Sequence, residues 1–329
     1  MAINLRTYEP ANLRTKNGFG KIGVLMGGPS SEREISLKSG KAVYEALKQS
    51  GVNAVGIDIK TDNIKEDMRV ISSHKIDCAF IALHGRFGED GTIQEILEDL
   101  GIPYTGSGVE SSRRAMDKIV SLGFFEKAGL TVARYEVLRK NTNWSFSGNI
   151  GFPLVVKPAS HGSSIGLSII DEETDLAQAV NLAFSFDERV IIEEYIKGRE
   201  LTVGILDEQA LPVIEIVPKK RFFDYEAKYQ SGLTDYVVPA LLKESIAKKA
   251  QEISLKAHKV LGCYGCSRVD LILNEAGLIY ILEINTIPGF TSTSLLPKAA
   301  RATGIEFTQL CFKLIELAYE KNKGKSSPG

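Results

Sequence analysis

The sequence predicts an α/β fold that takes on α+β character in its C-terminal half, and three observations carry this. In the first hundred residues, β-branched apolar runs alternate with helical patterns: Ile22 to Met26, about Ser31 to Gln49, Ala54 to Ile59, Cys78 to Leu83, Ile93 to Leu100. This is βαβ order and implies a parallel sheet. Near the C-terminus, Ser267 to Leu273 and Leu278 to Asn285 flank Asn-Glu-Ala-Gly, which reads as an antiparallel hairpin. Third, 329 residues are enough for two or three domains.

Composition narrows the class. A formal net charge of -1 gives no general attraction to nucleic acid or to an anionic membrane. No run of about 18 apolar residues could span a bilayer. The first twenty residues, with Arg6, Glu9, Arg14 and Lys16, lack an apolar stretch, so they read as a loose leader and not as a secretory signal. Cys78, Cys263, Cys266 and Cys311 are too scattered for a disulfide scaffold, which fits a cytoplasmic chain. Cys263-x-x-Cys266 has no second pair to complete a zinc site.

Taken in order, the first strand leads into Gly27-Gly28-Pro29-Ser30-Ser31-Glu32, where Ser31 and Glu34 spell a capping box at a helix start. Ligands of open α/β sheets bind outside the carboxyl ends of the strands, where this turn and His84-Gly85-Arg86-Phe87-Gly88-Glu89-Asp90-Gly91 both fall. Glu32 and His84 are therefore crevice candidates, against a helix-dipole charge and a satisfied strand-end histidine. Gly18-x-Gly20-x-x-Gly23 spells a dinucleotide fingerprint but precedes the first strand, so it lacks the helix start that the motif needs. No GxxxxGK[ST] occurs.

A middle region begins near Gly106 with a helix carrying Met116-Asp117-Lys118 and passes a polar stretch from Asn141 to Asn149. Pro153 to Pro158 is a short strand ending near Lys157, followed by Ala159-Ser160-His161-Gly162-Ser163-Ser164-Ile165-Gly166. That loop reads as a donor-rich phosphate nest or as an ordinary turn. The strand Val190 to Ile196 could present an acceptor and a backbone edge to a purine, with Glu200 close behind. Between Pro218 and Pro239, an aromatic and charged loop reads as a lid or as a nucleic-acid platform, the latter diluted by Asp224 and Glu226. A helix from Glu244 to Leu261 presents Ile246, Ile253, Ala257 and Val260 on one face and stops at Gly262. The tail after Lys321 is expected to fray.

In the hairpin, antiparallel pairing about the turn sets Asp270 opposite Glu283 and Arg268 opposite Asn285, all on one face, with Val269, Leu271, Leu282 and Ile284 on the other. Two facing carboxylates call for a cation, and an Asp, Glu and Asn oxygen set suits Mg²⁺ held jointly with phosphates. A solvated hairpin end is the alternative, and a one-residue slip would separate the group.

The segments GGPSSEREIS, ALHGRFGEDG, PYTGSG, MDK, LVVKPASHGSSIG, YEAKY, RVD and EINTIPGFTSTS, in this order, resemble the D-alanine:D-alanine ligase family of the ATP-grasp superfamily over about residues 21 to 320. The resemblance implies an ATP-grasp fold with an N-terminal Rossmann-like parallel α/β domain. Its division would be a leader 1–20, an N-terminal domain 21–106 holding the first D-alanine, a central domain 107–192, a C-terminal domain 193–322 with lid loop 219–237, and a tail 323–329. The implied activity is ATP-dependent ligation of two D-alanine molecules through an acyl phosphate, releasing ADP and phosphate, for peptidoglycan precursors.

Carried over residue by residue, Lys118 and Lys157 would hold the α and β phosphates under the Ser160 to Gly166 loop, which includes Ser163 and Ser164. Glu193, Glu194, Tyr195 and Ile196 would frame adenine, Glu200 the ribose, and Lys228 would reach the γ-phosphate. Asp270, Glu283 and Asn285 would bind two Mg²⁺ or Mn²⁺. Arg268 and the Gly289 N–H would face the oxyanion. Glu32 would accept the first D-alanine's ammonium beside His84, linked to Ser163 and Tyr229, while Ser294 and the Leu295 backbone would bind the second carboxylate. A homodimer through N-terminal domains is implied. Relatives also make D-alanyl-D-lactate or D-alanyl-D-serine, but Tyr229 matches the dipeptide-forming pattern and points to D-alanine. An NAD-dependent oxidoreductase and a nucleotide-binding regulator without catalysis are the competing classes.

Overall fold

The computed structural model describes residues 18–162, 164–219 and 234–325. Among them the chain forms two compact units. One runs to Val109 and takes in Tyr264–Cys266 and the chain from Ile287 onward; the other comprises Glu110–Cys263 and Ser267–Thr286.

The first unit is built on β1 (Ile22–Gly27), α1 (Arg33–Gln49), β2 (Ala54–Ile59), α2 (Ile64–Ser73), β3 (Cys78–Ile81) and α3 (Thr92–Asp99), with helices Leu295–Arg301 and Phe307–Lys325. Its sheet has the order β2-β1-β3, and both pairings are parallel, as the βαβ order requires. Central β1 is apolar and almost wholly buried, the pattern of a parallel strand covered on both faces. Gly23 lies inside this strand, and a β-carbon there would sit 2.6 Å from Ile76 Cδ1. The last glycine of the discounted fingerprint thus serves strand packing.

Three sequence expectations need correction here. Helix α1 starts at Arg33, its N-cap is Glu32, and no side chain caps it, so the Ser31/Glu34 box does not form. Instead, Ser30 Oγ accepts the Glu32 N–H at 3.2 Å and donates to the His84 carbonyl at 2.6 Å, which spends the local cap on tying the turn to the end of β3. Helix α2 was not anticipated, although Ile64, Met68 and Ile71 stand at i, i+4 and i+7 and the Asn63 side chain caps it by accepting the Glu66 N–H. Among the described residues, Phe19 and the helix beyond Lys321 are built into the first unit. Phe19 is buried against Phe312 and its carbonyl accepts from Tyr319 Oη at 2.6 Å, while the last helix continues to Lys325 past a Lys321 whose Nζ lies 4.3 Å from the Tyr104 ring centre.

The second unit contains α4 (Val109–Met116), α5 (Lys118–Lys127), β4 (Tyr135–Arg139), β5 (Leu154–Pro158), β6 (Ser168–Ile170), α6 (Leu176–Phe184), β7 (Arg189–Glu194), β8 (Gly198–Leu206), β9 (Gln209–Ala210), β10 (Ile214–Pro218), β11 (Thr234–Val237), the helix Glu244–Val260, β12 (Cys266–Asn274) and β13 (Ile279–Asn285). Strands β4-β7-β5-β6 form an antiparallel sheet; β11-β10-β8-β12-β13 form a second, with β9 on β8. One face of each sheet is sealed by a helix. Leu154, Val156 and Ile170 pack with Ala179, Val180 and Ala183 of α6, and Val203, Val269 and Leu271 pack with Ala250 and Ala257. Period-two alternation then sends Val155 and Lys157 of β5, Ile169 of β6, and Asp270 and Ile272 of β12 to the other faces, where they line a common cleft.

The hairpin register agrees with expectation at its functional end: Arg268 pairs with Asn285, Val269 with Ile284, Asp270 with Glu283. Beyond it the ladder slips, and Leu271 pairs with Ile281. Leu282 is the extra residue of a β-bulge, so it does not join Val269 and Leu271 in the core but lines the cleft beside Glu283. Strict alternation, which put Leu282 on the buried face, fails at this one residue. Deleting Leu282 should regularise the ladder with Ile279, Ile281 and Ile284 still inward and Glu283 and Asn285 still outward. The variant is expected to fold, to keep its thermal midpoint within a few degrees, and to lose about tenfold in nucleotide affinity by titration, the equivalent of roughly one lost apolar contact surface. Unchanged affinity would refute a role for the bulge in the cleft.

Candidate functional site

The second unit holds a cleft lined by residues of both its sheets. Lys118, Lys157, Ser164, Glu193, Glu194, Tyr195, Ile196, Glu200, Asp270 and Glu283 all line it, so residues read separately along the sequence converge. Lys118 opens α5, where the Asp117 side chain caps by accepting the N–H groups of Ile119 and Val120. Its Nζ donates to the His161 carbonyl at 2.6 Å and stands 3.3 Å from Glu283 Oε2. Lys157, at the end of β5, pairs with Glu193 of the neighbouring β7 at 2.6 Å; both side chains are 8 % exposed. Buried ammonium groups require such partners.

On β12, Arg268 grips Asp270 with two parallel bonds of 2.9 and 2.8 Å, and Thr202 Oγ1 donates to Asp270 Oδ1 at 2.6 Å. Each cation here therefore rests against a carboxylate: Lys118 on Glu283, Lys157 on Glu193, Arg268 on Asp270. Each is thus charge-matched before any ligand arrives. Ser164 holds a positive φ of 58° in the loop after β5, a conformation that non-glycine residues adopt at a cost and often at functional sites. Ser163, Lys228 and Tyr229, with most of the expected lid, lie outside the described residues.

The first unit gathers a second set. Glu32 and His84 are both buried, and the left-handed φ of 70° at Gly85, which favours glycine, sets its backbone close to the Glu32 carboxylate. Gly289 lies against Ser294, whose Oγ accepts the Thr291 N–H at 3.0 Å instead of capping the helix that begins at Leu295.

Sequence reasoning gave no role to Glu89 or Ser39. Glu89 stands 3.6 Å from His84 Nδ1. Burial pushes its carboxyl up to about 7, with the His84 hydrogen bond opposing and the Glu32 charge reinforcing the rise. Ser39 follows Glu32 by seven residues, with Ser36 between at four, a helical-face spacing that could have flagged both serines. For Glu89 the sign of the pH effect is definite. A carboxyl whose folded pKa lies above its unfolded value contributes stability fully present below about 4.5 and lost as pH rises through about 7. The thermal midpoint of Glu89→Gln relative to the parent should therefore climb between pH 5 and pH 8, by the equivalent of on the order of 2 kcal/mol. A difference that stays flat across this range would disprove the assignment.

Two antiparallel sheets over a cleft carrying paired lysines and a carboxylate-bearing hairpin, together with a separate parallel α/β unit, define the ATP-grasp class of protein. Residues 21–65 and 60–107 match the family model described as D-ala D-ala ligase N-terminus, and residues 124–316 match the one described as D-ala D-ala ligase C-terminus. The chain belongs to the D-alanine–D-alanine ligase family. It is 48 % identical over 307 residues to the D-alanine–D-alanine ligase of Geotalea uraniireducens, covering 93 % of this chain and 96 % of that one, and 46 % identical over 309 residues to that of Geobacter sulfurreducens, covering 93 % and 96 %. Among solved structures, the D-alanine–D-alanine ligase of Bacillus anthracis complexed with ATP is similar at TM-score 0.83 and 36 % identity, covering 93 % of this chain and all of that one. The VanG D-Ala:D-Ser ligase of Enterococcus faecalis is similar at 0.79 and 32 %, covering 91 % and 99 %.

Proposed function

We propose that this chain joins two D-alanine molecules into D-alanyl-D-alanine with ATP, through an acyl phosphate, releasing ADP and phosphate and supplying peptidoglycan precursors. The observation that carries this is the convergence of Lys118, Lys157, Asp270 and Glu283 on one cleft that is also lined by the apolar Val155, Ile169, Ile272 and Leu282. A flat base suits the apolar side chains, and phosphates suit the lysines.

In this reading, Lys118 and Lys157 trade carboxylate partners for the α and β phosphates, Glu193 to Ile196 frame the adenine and Glu200 takes the ribose. Ser163, Ser164 and Lys228 close on the phosphates. Asp270, Glu283 and Asn285 fit a pair of Mg²⁺ or Mn²⁺ ions: they are hard oxygen donors on one hairpin face. Among the described residues no group of three or more His, Cys, Asp or Glu side chains could hold a metal unaided, so the shell would be completed by phosphate and water oxygens. When bound, the metal would neutralise phosphate charge.

The first D-alanine's carboxylate oxygen attacks the γ-phosphorus and ADP departs. The amine of the second, having lost a proton, then attacks the acyl carbon, and phosphate leaves. Charge builds on phosphoryl oxygens and then on a tetrahedral oxyanion, so the residues act by position and field. Arg268 and the Gly289 N–H are oxyanion donors, Glu32 with Tyr229 and Ser163 fixes the first substrate's ammonium side, and Ser294 with the Leu295 N–H receives the second carboxylate. A cytoplasmic homodimer built through the 21–106 domain, with 107–192 and 193–322 as the two grasp domains, completes the proposal on family resemblance. No described helix is long and apolar enough to cross a membrane.

D-Alanine is favoured as second substrate over D-serine because the D-alanine–D-alanine ligases given above stand at 36–48 % identity and the D-Ala:D-Ser relative at 32 %. Purified protein with ATP, Mg²⁺ and D-alanine, D-serine or D-lactate should release phosphate with D-alanine and give a product of dipeptide mass. No dipeptide at saturating D-alanine would end the reading.

A further inference from the structure

The turn that carries Gly289 is held by two side chains from far away in sequence. Ser39, fully buried on α1, accepts the Phe290 N–H at 3.2 Å, and its Oγ lies 2.9 Å from His84 Nε2. His84 Nδ1 lies 3.1 Å from the Ile287 carbonyl oxygen. A carbonyl can only accept, so Nδ1 carries the hydrogen. In the Nδ1–H tautomer Nε2 is an acceptor, and the Ser39 O–H, free to donate after accepting from Phe290, is its donor. The result is one directional circuit: Phe290 N–H to Ser39, Ser39 O–H to His84, His84 N–H to Ile287. It starts and ends on the same turn.

Pro288 and Gly289 lie between the two anchored residues, in a segment without ladder or helix bonds, so these side chains supply partners that the backbone cannot find locally. The Phe290 ring fixes the same turn by packing on Phe80 and Phe307 at centroid distances of 5.3 and 5.5 Å. Ser36, one turn earlier on α1, donates to the Ala82 carbonyl at 2.8 Å and ties the helix to the end of β3 that His84 follows. Both nitrogens of His84 are thus committed inside the protein.

We propose that Ser39, acting with His84, is a positioning residue that sets the Ile287–Phe290 turn, and with it the Gly289 N–H, for the acyl-transfer step. This rests on the ligase reading above. Misplacing an oxyanion donor by a fraction of an ångström to 1 Å costs up to about a hundredfold in rate without touching nucleotide binding in the other unit.

The first measurement needs no variant. In the ¹⁵N-labelled full chain, long-range ¹H–¹⁵N correlation should give His84 as the Nδ1–H tautomer, its signal identified by loss in His84→Asn. The Nε2–H tautomer would overturn the circuit. In the second, Ser39→Ala should lower kcat for dipeptide formation by about tenfold to a hundredfold, with ADP affinity within about twofold of the parent, and Ser39→Thr, which keeps the hydroxyl, should recover most of the loss. Parental kcat in Ser39→Ala refutes the proposal. So does an equal loss of kcat and ADP affinity in both variants, because a purely structural role predicts that. If Ser39→Ala does not fold, the tautomer and Ser39→Thr decide. A parent that makes no dipeptide would sink the ligase reading, while the tautomer measurement would still judge the circuit.

Discussion

Replacing Lys157 with methionine should reduce ligation by roughly a hundredfold to a thousandfold, the scale of losing one charged donor at a reacting group, and should also destabilise the protein. The two losses have different origins. Lys157 and Glu193 form a 2.6 Å pair with both side chains 8 % exposed. Removing the ammonium strands a buried carboxylate, which costs about 3–5 kcal/mol in such settings, whereas replacing both members with neutral groups of similar volume is close to neutral. Lys157→Met should therefore shift its urea midpoint markedly, and Lys157→Met/Glu193→Gln should regain most of that shift while ligation stays lost. Urea unfolding and kcat/KM for ATP, measured on all three proteins, separate the two effects. If the double variant regained activity along with stability, Lys157 would be a structural ion-pair member and the phosphate role would fall.

Replacing Arg268 with alanine should cut kcat by roughly a hundredfold to a thousandfold while ADP affinity changes little, because a donor aimed at the oxyanion acts only once that charge exists. The bidentate grip on Asp270 holds the guanidinium in one orientation, with Thr202 fixing the carboxylate from behind. A lysine has one point charge and no fork to match Asp270, so Arg268→Lys should recover little. The competing account is that Arg268 only screens Asp270. That account predicts the reverse pattern, weaker nucleotide and metal binding with kcat preserved, and finding it would remove Arg268 from the oxyanion site.

Parts of this machinery were legible in the residues themselves. The hairpin register that sets Asp270 against Glu283 and Arg268 against Asn285 follows from two β-branched runs about a four-residue turn. The position of Lys157 toward a cleft follows from alternation along Leu154–Pro158. The first helix was harder to place. Ser31 and Glu34 offered a local cap, but the helix began at Arg33 with Glu32 at its N-cap, after a turn that Ser30 ties to the His84 carbonyl, 54 residues away. Leu282 was misplaced because the bulge depends on how β13 meets its neighbours, and no one-strand period encodes an extra residue.

By itself, the sequence determined the parallel βαβ order of the first unit, the facing carboxylates of the hairpin and the chemical groups available for phosphate and metal. These depend on periodicity and on short spacings, which are properties of the local chain. Tertiary structure alone decided which cation rests on which carboxylate, that Leu282 enters the cleft, and that Ser39 and His84 close a circuit with a turn 251 and 203 residues further on. The reason is physical: a buried charge or hydroxyl takes whichever partner packing brings within about 3 Å, and no spacing rule reaches across such distances.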